Sequence, residues 1–544
     1  MAPNTYEERF GVDLVGDENE FDPARWDAPE HKAGLPKRHP ETGLDVLIVG
    51  GGMGGLMTAL ECWRKGHTVV GILERSKSPV YSGDIIAIMP SVTSILRHWP
   101  DMQSDLQHDQ VHVDLNYETH TGKHIFGPTT PSFNDPEHLA TSARKGPALA
   151  AAQIRQRFYR MLLRQTAKVG LRVSYHTRVR GYFEDVAAGK GGVILDDGQV
   201  RLATIVVAAD GIRSSSELLV AGEHTRQRSS GMSIYRCSYS TSLAMKDPVV
   251  RDRWASGKES HGAGSSPAAD SGSDSGISLP QEHENPVPKS WEFWLGPGMY
   301  MGVFMSPEVV AWGFTPREQH DGQGATESWE PDVDPETIAD IMLRTAPDWH
   351  PAVPALVRTA PKGSVVHWPL LWRDLRREWV SAGGHVVQVG DSAHTFTPTS
   401  GNGATQAIED AITLATCLQL GAGQGGSSIL STRIYNLLRY DRVNCAQKMS
   451  FVNAELKTET NWDAIWSDPA KIRTRFPVWV FNHDPEAYAY EKYGQAFAHL
   501  VAGAEFQNTN VPPGHSSQPW TIDQLYQDIA NGKRMEDLLD GDWS

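Results

Sequence analysis

The first residues of this chain that could do chemistry form a glycine-rich turn. Gly50, Gly52 and Gly55 follow the apolar run VLIV in the spacing G-x-G-x-x-G. This spacing permits a tight turn, close approach of the backbone to a pyrophosphate, and close packing of a helix on a strand. Glu74 lies 24 residues after Gly50, where its carboxylate can accept hydrogen bonds from a ribose diol. The pattern predicts a dinucleotide site; the alternative is a structural turn with Glu74 as a surface charge.

A second candidate segment lies far downstream, between His385 and Ala411. A predicted strand ends at Gly390-Asp391, and a loop rich in proline and glycine leads into a predicted helix. The Asp391 carboxylate can accept a hydrogen bond from a sugar-alcohol hydroxyl, and N–H groups near Gly403 can face an anionic or electron-rich ring edge. A simple dehydrogenase has no use for such a loop, so this segment favours bound FAD over NAD.

Several motifs in order resemble those of the single-component (class A) flavin-dependent monooxygenases, typified by salicylate and para-hydroxybenzoate hydroxylase. The motifs are the glycine turn, IRQRFYRML, AADGIRSS and GDSAHTFTPTSGNGATQAIEDA. The segment SGDIIAIMPSVTSILRHW also resembles a family motif, matching at Gly83 and Pro90 but departing from it at Ile85 and Ser91. The resemblance covers roughly residues 44–455 and is nearest to fungal salicylate-hydroxylase-like enzymes of secondary metabolism.

The resemblance implies an NAD(P)H- and O2-dependent FAD monooxygenase. Such an enzyme would hydroxylate a phenolic or polyketide-type aromatic small molecule through a flavin C4a-hydroperoxide, with NADPH or NADH as a transient reductant. Asp210 and Gly211 would lie where the FAD and nicotinamide sites meet. The implied FAD contacts are Gly50, Gly52, Gly55, Glu74, Ala87 (through its backbone), Arg155, Asp210, Gly211, Asp391, Gly403 and Ala404.

Two residues are candidates for the catalytic step. Arg236 lies centrally in a strand-like run, where a guanidinium needs an anionic partner, and it could stabilise a phenolate. Related phenol hydroxylases carry a functional arginine on the corresponding strand, assisted by a tyrosine on a later strand, and Tyr300 occupies a similar place. The alternatives are a structural ion pair for Arg236 and a core aromatic for Tyr300. His394 is a weaker candidate for a general base. Trp291, Trp294 and Trp312 could form an aromatic wall for a planar substrate, with packing in the core as the alternative.

Other reactions remain open on the same fold. Epoxidation of an indole or alkene, or Baeyer–Villiger oxidation of a ketone, would use the same motifs. A non-catalytic flavin-binding protein is a third hypothesis, which the retained arginine and the AADG motif disfavour.

The elements that must position these residues predict an α/β fold. A Rossmann-like FAD-binding domain of the GR2 type would be interleaved with a mixed-sheet substrate domain and followed by C-terminal helices. The predicted parts are an N-terminal arm (1–43), the first part of the FAD domain (44–230), the substrate domain (231–375) with a disordered insertion (256–289), the second part of the FAD domain (376–460) and a C-terminal extension (461–544).

Composition narrows the classes of partner. The 544 residues carry a net charge of −16, which disfavours nucleic acid and anionic membrane surfaces. The four cysteines form no C-x-x-C pair, so we expect neither a metal site nor disulfides. No apolar run approaches the ~18 residues that a membrane span needs. We therefore expect a cytoplasmic enzyme without a membrane anchor, either a monomer or a homodimer.

Overall fold

The computed structural model describes most of the chain. It describes residues 6–81, 83–109, 114–135, 137, 152–224, 227–255, 287, 289–317, 333–398, 401–423, 428–458, 460–474, 476–533 and 538–543. Apart from Val287 and Lys289, the predicted insertion at 256–289 lies outside the described residues.

The strands, in chain order, are β1 (Asp45–Val49), β2 (Thr68–Leu73), β3 (Ile85–Ala87), β4 (Leu115–Thr119), β5 (His124–Thr129), β6 (Ala152–Ile154), β7 (Val173–Ser174), β8 (Val179–Asp185), β9 (Lys190–Leu195), β10 (Val200–Ala203), β11 (Ile205–Ala208), β12 (Arg228–Ser240), β13 (Ser290–Gly296), β14 (Met299–Met305), β15 (Val309–Pro316), β16 (Val366–Trp372) and β17 (Val386–Gln388).

The longer helices are α1 (Met53–Arg64), α2 (Pro100–Asp109), α3 (Arg155–Lys168), α4 (Pro335–Thr345), α5 (Gly403–Gly423), α6 (Ser428–Thr458), α7 (Pro485–Ala502) and α8 (Ile522–Ala530). Shorter helices span Tyr6–Phe10, Pro29–Lys32, Pro90–Thr93, Glu217–Ala221, Thr241–Ala244, Pro248–Trp254, Ala352–Arg358, Trp462–Ser467 and Val478–Phe481. Among the helices that the structure describes, none combines the length and apolar character needed to cross a bilayer.

A parallel sheet brings the predicted FAD motifs to one edge. Its strand order is β17-β11-β1-β2-β7, and every neighbouring pair is parallel. Gly50 follows β1, Glu74 follows β2, Asp210 comes shortly after β11, and Gly390 shortly after β17. Ligands of open α/β sheets bind outside the carboxyl ends of the strands. The predicted α/β class with a Rossmann-like sheet is therefore confirmed.

A seven-stranded mixed sheet forms the second layer. Its order is β16-β12-β15-β14-β13-β4-β5, antiparallel except between β13 and β4. One face packs Trp294, Met301, Trp312 and Phe314 against helix α4 and its neighbours in a buried core. Because side chains alternate along a strand, Arg236, Phe293 and Tyr300 belong to the opposite face.

The sequence pattern predicts a helix over 151–169 and a single buried strand over 202–211, and the structure departs from both expectations. The helix predicted over 151–169 begins at Arg155, because residues 152–154 form β6 and pair with β3. The strand predicted over 202–211 is two strands, since β10 pairs with β9 while β11 pairs with β1 and β17. The first 43 residues include a buried stretch, in which Leu14 packs against Phe304 and Ala311 of the mixed sheet.

A buried cluster of charges joins α5 to α6. The Arg439 guanidinium donates to Asp410 Oδ1 at 2.8 Å and to Glu409 Oε2 at 2.6 Å, and Arg442 donates to both oxygens of Glu409. Burial by itself would raise the pKa of the Glu409 carboxyl, but the two guanidinium groups outweigh burial and hold that pKa well below its usual range. The cluster is therefore ionised at neutral pH.

Arg439→Met tests how much this cluster contributes to the stability of the fold. Removing one partner from a buried ion network leaves uncompensated charge, so we expect the free energy of unfolding to fall by about 3–5 kcal/mol. The measurement is urea denaturation followed by circular dichroism. Arg433→Met is the matched control, because Arg433 is on the same helix but exposed, and its guanidinium donates to the Ala382 carbonyl. Equal midpoints for the two variants would contradict the assignment.

Candidate active site

The glycine turn after β1 is shaped by close backbone packing. A Cβ on Gly50 would clash with the carbonyl oxygen of Ala209, and a Cβ on Gly55 would clash with that of Gly50. Gly50 also has a φ of 112°, which side-chain-bearing residues rarely adopt. In contrast, a Cβ on Gly52 would meet nothing within 4 Å. The turn is therefore packed on its protein side and open on the side where a pyrophosphate would lie.

Glu74 faces this turn. Its Oε2 accepts a hydrogen bond from the Gly51 N–H at 2.7 Å, and its Oε1 accepts one from the Ser76 N–H at 2.8 Å. The Tyr159 hydroxyl donates to the Gly51 carbonyl at 2.9 Å, which ties helix α3 to the same loop. Because each carboxylate oxygen can accept more than one hydrogen bond, Glu74 retains the capacity to bind a ribose diol.

The downstream GD segment packs directly on the glycine turn. The methyl group of Ala407 in α5 packs against both segments. A Cβ added to Gly390 would be 3.0 Å from this methyl group, and one added to Gly54 would be 3.3 Å from it. The Gly390 N–H donates to Asp410 Oδ2 at 2.9 Å. The side chain of Asp391 is exposed beside this junction. Two motifs more than 300 residues apart in sequence thus share one site.

Asp210 and Gly211 complete the same edge. Asp210 accepts a hydrogen bond from the Tyr182 hydroxyl at 2.7 Å, and burial raises the pKa of the Asp210 carboxyl. The space around a Cβ on Gly211 is open to at least 4 Å.

These residues fit a bound dinucleotide. No side chain among the described residues caps the N-terminus of α1, so its first N–H groups and the helix dipole face the open space beside Gly52. The Glu74 carboxylate faces the glycine turn, where it could accept hydrogen bonds from a ribose, and a second helix, α5, begins at Gly403 beside Ala404. The loop before it contacts β3, since a Cβ on Gly401 would lie 2.8 Å from that of Ala87.

A cavity of about 300 Å³ lies between this loop and the free face of the mixed sheet. That volume is at the lower end for sites that bind drug-sized ligands. Its lining includes Asp84, Ala87, Ile234, Arg236, Trp291, Phe293, Tyr300, Gly302, Phe304, Gly313, Phe396, Gly403, Ala404 and Lys457. The cavity therefore contains both candidate catalytic residues and three of the predicted FAD contacts.

The floor of the cavity is a row of directly paired residues. Arg236 on β12 pairs with Gly313 on β15, Gly313 pairs with Gly302 on β14, and Gly302 pairs with Phe293 on β13. Two adjacent glycines leave flat backbone between a guanidinium at one end and an aromatic ring at the other. Such a floor accommodates a planar ring.

Three charged side chains meet at the β12 end of the cavity. Arg236 Nη1 lies 3.6 Å from Asp84 Oδ1, and its Cζ lies 5.8 Å from the centre of the Trp368 ring. Burial raises the pKa of the Asp84 carboxyl to about 6, although Arg236 and Arg155 act in the opposite direction. Burial, followed by repulsion from Arg236, lowers the pKa of Arg155 to about 10. The Arg155 Nη1 also donates to the Val80 carbonyl at 3.2 Å.

The remaining candidates do not all lie at the cavity. Trp294 is packed in the core on the other face of the mixed sheet, and Trp312 belongs to the same core although it also borders the cavity. Tyr300 and Trp291 line the cavity, and burial raises the pKa of the Tyr300 hydroxyl, so it stays protonated at neutral pH. His394 does not line the cavity; its Nε2 lies 2.7 Å from Asp410 Oδ2, and both side chains are fully buried. His394 therefore belongs to the charge cluster that joins α5 and α6.

Sequence reasoning missed Asp84 and Lys457. Asp84 directly follows Gly83 of a recognised motif, so its position was a usable signal. Lys457 stands near the end of α6 without any motif around it.

Comparisons with known proteins agree with this arrangement. The family model described as an FAD binding domain matches residues 43–275 and 328–444. The FAD-dependent monooxygenase dmxR9 of Cryptosporiopsis sp. (strain 8999) is 61% identical over 100% of both chains. The FAD-dependent monooxygenase mdpD of Emericella nidulans is 60% identical over 98% of this chain and 99% of its own.

A solved structure shares the fold. The crystal structure of CtdE in complex with FAD and a substrate superimposes with a TM-score of 0.70, covering 84% of this chain and 99% of that chain at 24% identity. The full-length identity to named enzymes confirms the resemblance found in the sequence. The chain therefore belongs to the FAD-dependent monooxygenases.

Proposed function

We propose that this enzyme hydroxylates a planar phenolic or polyketide-type aromatic molecule in secondary metabolism, with NADPH or NADH as reductant and O2 as co-substrate. The observation that supports this proposal is the cavity between the FAD-side loop and the flat face of the mixed sheet, with Arg236 and Tyr300 on its wall. FAD would supply the redox chemistry that activates O2.

The residues proposed to hold FAD lie around the edge of the parallel sheet. Gly50, Gly52 and Gly55 would receive the pyrophosphate, and Glu74 the ribose. The other proposed contacts are Ala87, Arg155, Asp210, Gly211, Asp391, Gly403 and Ala404. The mixed sheet would then act as the substrate layer. It draws most of its strands from the proposed substrate domain at residues 231–375, while β4 and β5 come from the proposed first part of the FAD domain.

Arg236 is proposed to bind and orient the phenol oxygen. A phenolate attacks an electrophilic oxygen donor more readily than the neutral phenol, so a cation beside the oxygen assists the reaction. Asp84 is 3.6 Å from the Arg236 guanidinium and orients it. Trp291 and Phe293 would enclose the ring and exclude water, because their side chains line the cavity beside the glycine floor.

Tyr300 is proposed to assist as a hydrogen-bond donor. Its ring is 5% exposed and lines the cavity. Since burial raises the pKa of its hydroxyl, Tyr300 stays protonated and can donate a hydrogen bond to a substrate oxygen.

A substrate screen tests the proposal directly. We expect phenolic aromatics, supplied in turn to the FAD-loaded enzyme, to stimulate consumption of NADPH or NADH and to yield a product heavier by one oxygen atom. Oxygen uptake, nicotinamide absorbance and product mass are the measurements, and NMR of the product separates hydroxylation from epoxidation and ring-oxygen insertion. Stimulation by non-aromatic ketones alone would contradict the proposal.

Arg236→Met tests the role of the guanidinium. We expect product formation to fall by about 100-fold or more, because the loss of a preorganised charge of this kind costs about 2.7–4 kcal/mol in comparable sites. FAD content should stay unchanged. Arg228→Met is the control, since Arg228 is on the same strand but pairs with Asp374 outside the cavity. Equal turnover in the two variants would remove Arg236 from the site.

Glu74→Ala tests the FAD site separately from substrate chemistry. Loss of a charged hydrogen-bond acceptor costs roughly 1.5–3 kcal/mol, so we expect the Kd for FAD to rise by roughly 10- to 100-fold. Fluorescence titration of the apoprotein with FAD measures this change. The Kd of Glu74→Gln for FAD should lie between those of the wild type and Glu74→Ala. Asp197→Ala, at an exposed turn, should bind FAD with the wild-type Kd. Full FAD loading of Glu74→Ala after dialysis would show that the carboxylate is not a ligand.

A further inference from the structure

Lys457 is a buried lysine in the wall of the cavity. It lies in the last turn of α6 and is only 2% exposed. Its Nζ is 4.5 Å from the centre of the Phe293 ring and 5.6 Å from that of the Tyr300 ring. The amine thus approaches the cavity from the α6 side, above two aromatic rings of the sheet.

Lys457 and Arg236 stand near opposite ends of the glycine floor. Arg236 and Phe293 are separated by the strands that carry Gly313 and Gly302. Three strand spacings amount to about 14 Å between the backbones of β12 and β13. This span suits a fused aromatic ring system with one polar substituent toward each end.

The other charged groups of the sheet do not share this end of the cavity. Among the described residues that line the cavity, the remaining ionisable groups are Asp84, Arg236 and Tyr300. Glu292 and Glu118 are on the opposite face of β13 and β4, where Glu292 pairs with Arg253 and Glu118 with His124. An anionic substituent beside Lys457 would therefore lie on the opposite face of the sheet from both of these carboxylates.

Burial makes the charge on this amine conditional. Removal of Lys457 from water lowers its pKa to about 7. An anionic oxygen placed beside the ammonium favours the charged form and raises that pKa again. Lysine suits this role because its ammonium is a compact point charge on a flexible chain.

We propose that Lys457 is a specificity-determining residue that binds a carboxylate or phenolate oxygen of the aromatic substrate at the end of the cavity opposite Arg236. This inference rests on the proposed function, because it takes the cavity as the aromatic substrate site. It narrows the substrate class to planar aromatics that carry an anionic oxygen at some distance from the ring position held by Arg236.

The test compares two probes of nearly equal shape and different charge. The probes are 6-hydroxy-2-naphthoate, whose hydroxyl and carboxylate are at opposite ends of the ring system, and its neutral carboxamide, titrated calorimetrically into the FAD-loaded enzyme without reductant, so that no turnover occurs. We expect wild-type enzyme at pH 6 to bind the acid about tenfold or more tightly than the amide. Lys457→Met should bring the two affinities within about twofold. Lys448→Met, on the same helix but outside the cavity, should keep the preference.

The pH profile gives a second, independent readout. The carboxylate probe stays ionised between pH 6 and 9. In the enzyme without a bound probe, Lys457 loses its proton as pH rises through about 7. The preference of the wild type for the acid should therefore be full at pH 6 and fall toward pH 9. Lys457→Arg should retain it at pH 9. Asp84, whose pKa is raised to about 6, is unchanged in Lys457→Arg, so any pH dependence left in that variant belongs to Asp84.

The outcomes separate the two proposals. If neither probe binds the wild type, the aromatic site fails and the inference fails with it. If both probes bind and Lys457→Met keeps the preference, only the inference about Lys457 is overturned. If Lys457→Met does not fold, the pH profiles of the wild type and Lys457→Arg test the inference instead. The same pH-independent preference for the acid in both proteins would overturn the role of Lys457.

Discussion

The buried ion cluster between α5 and α6 is the constraint on which the site depends. Asp410 accepts a hydrogen bond from the Gly390 N–H and forms another with a ring nitrogen of His394. Glu409 accepts a hydrogen bond from the Ser91 hydroxyl at 2.7 Å. The cluster thus connects the GD segment to the helix at Pro90–Thr93, which follows β3 on the far side of the cavity. Because removing charge from water is expensive, the carboxylates remain ionised only while both guanidinium groups stay in place. The relative position of the FAD-side loops follows from that requirement.

The two sheets contribute different properties to the site. The parallel sheet gathers its loops at the carboxyl ends of β1, β2, β11 and β17, which is a consequence of strand direction alone. The mixed sheet contributes a surface, since alternate residues in the middle of β12 to β15, such as Ile234 and Arg236 on β12 and Trp291 and Phe293 on β13, line the cavity. Helix α6 spans both layers: Arg439 serves the cluster, and Lys457 reaches the substrate side. A single long helix therefore links cofactor geometry to substrate geometry.

The sequence predicted the parts of the site that depend on backbone geometry. Gly50, Gly55 and Glu74 are recognisable because a tight turn after a strand and an acid after the next strand leave a fixed spacing. Arg236 and Tyr300 could be named as candidates because their strands could be aligned with those of a known family. Lys457 could not be named from the sequence, because its position depends on how a 31-residue helix crosses two sheets. His394 appeared chemical from its neighbours in sequence, yet Asp410, one helix later, draws it into the ion cluster. Thr204, where β10 and β11 separate, is a single threonine within the run LATIVVA, and a lone threonine is too common in strands to mark the break.

The paired glycines in the floor have a consequence for which dimensions of the cavity can change. Gly302 and Gly313 make the height of the cavity a property of the peptide backbone, whereas its outline depends on side chains such as Trp291 and Phe304. A Cβ on Gly313 would stand 3.0 Å from Asp84 Oδ2, so even a methyl group there would press on the carboxylate beside Arg236. Outline can therefore vary by ordinary substitution while thickness stays constant. The outline of the site can change from one flat substrate to another by side-chain substitution, whereas room for a thicker substrate would need a change in the sheet backbone.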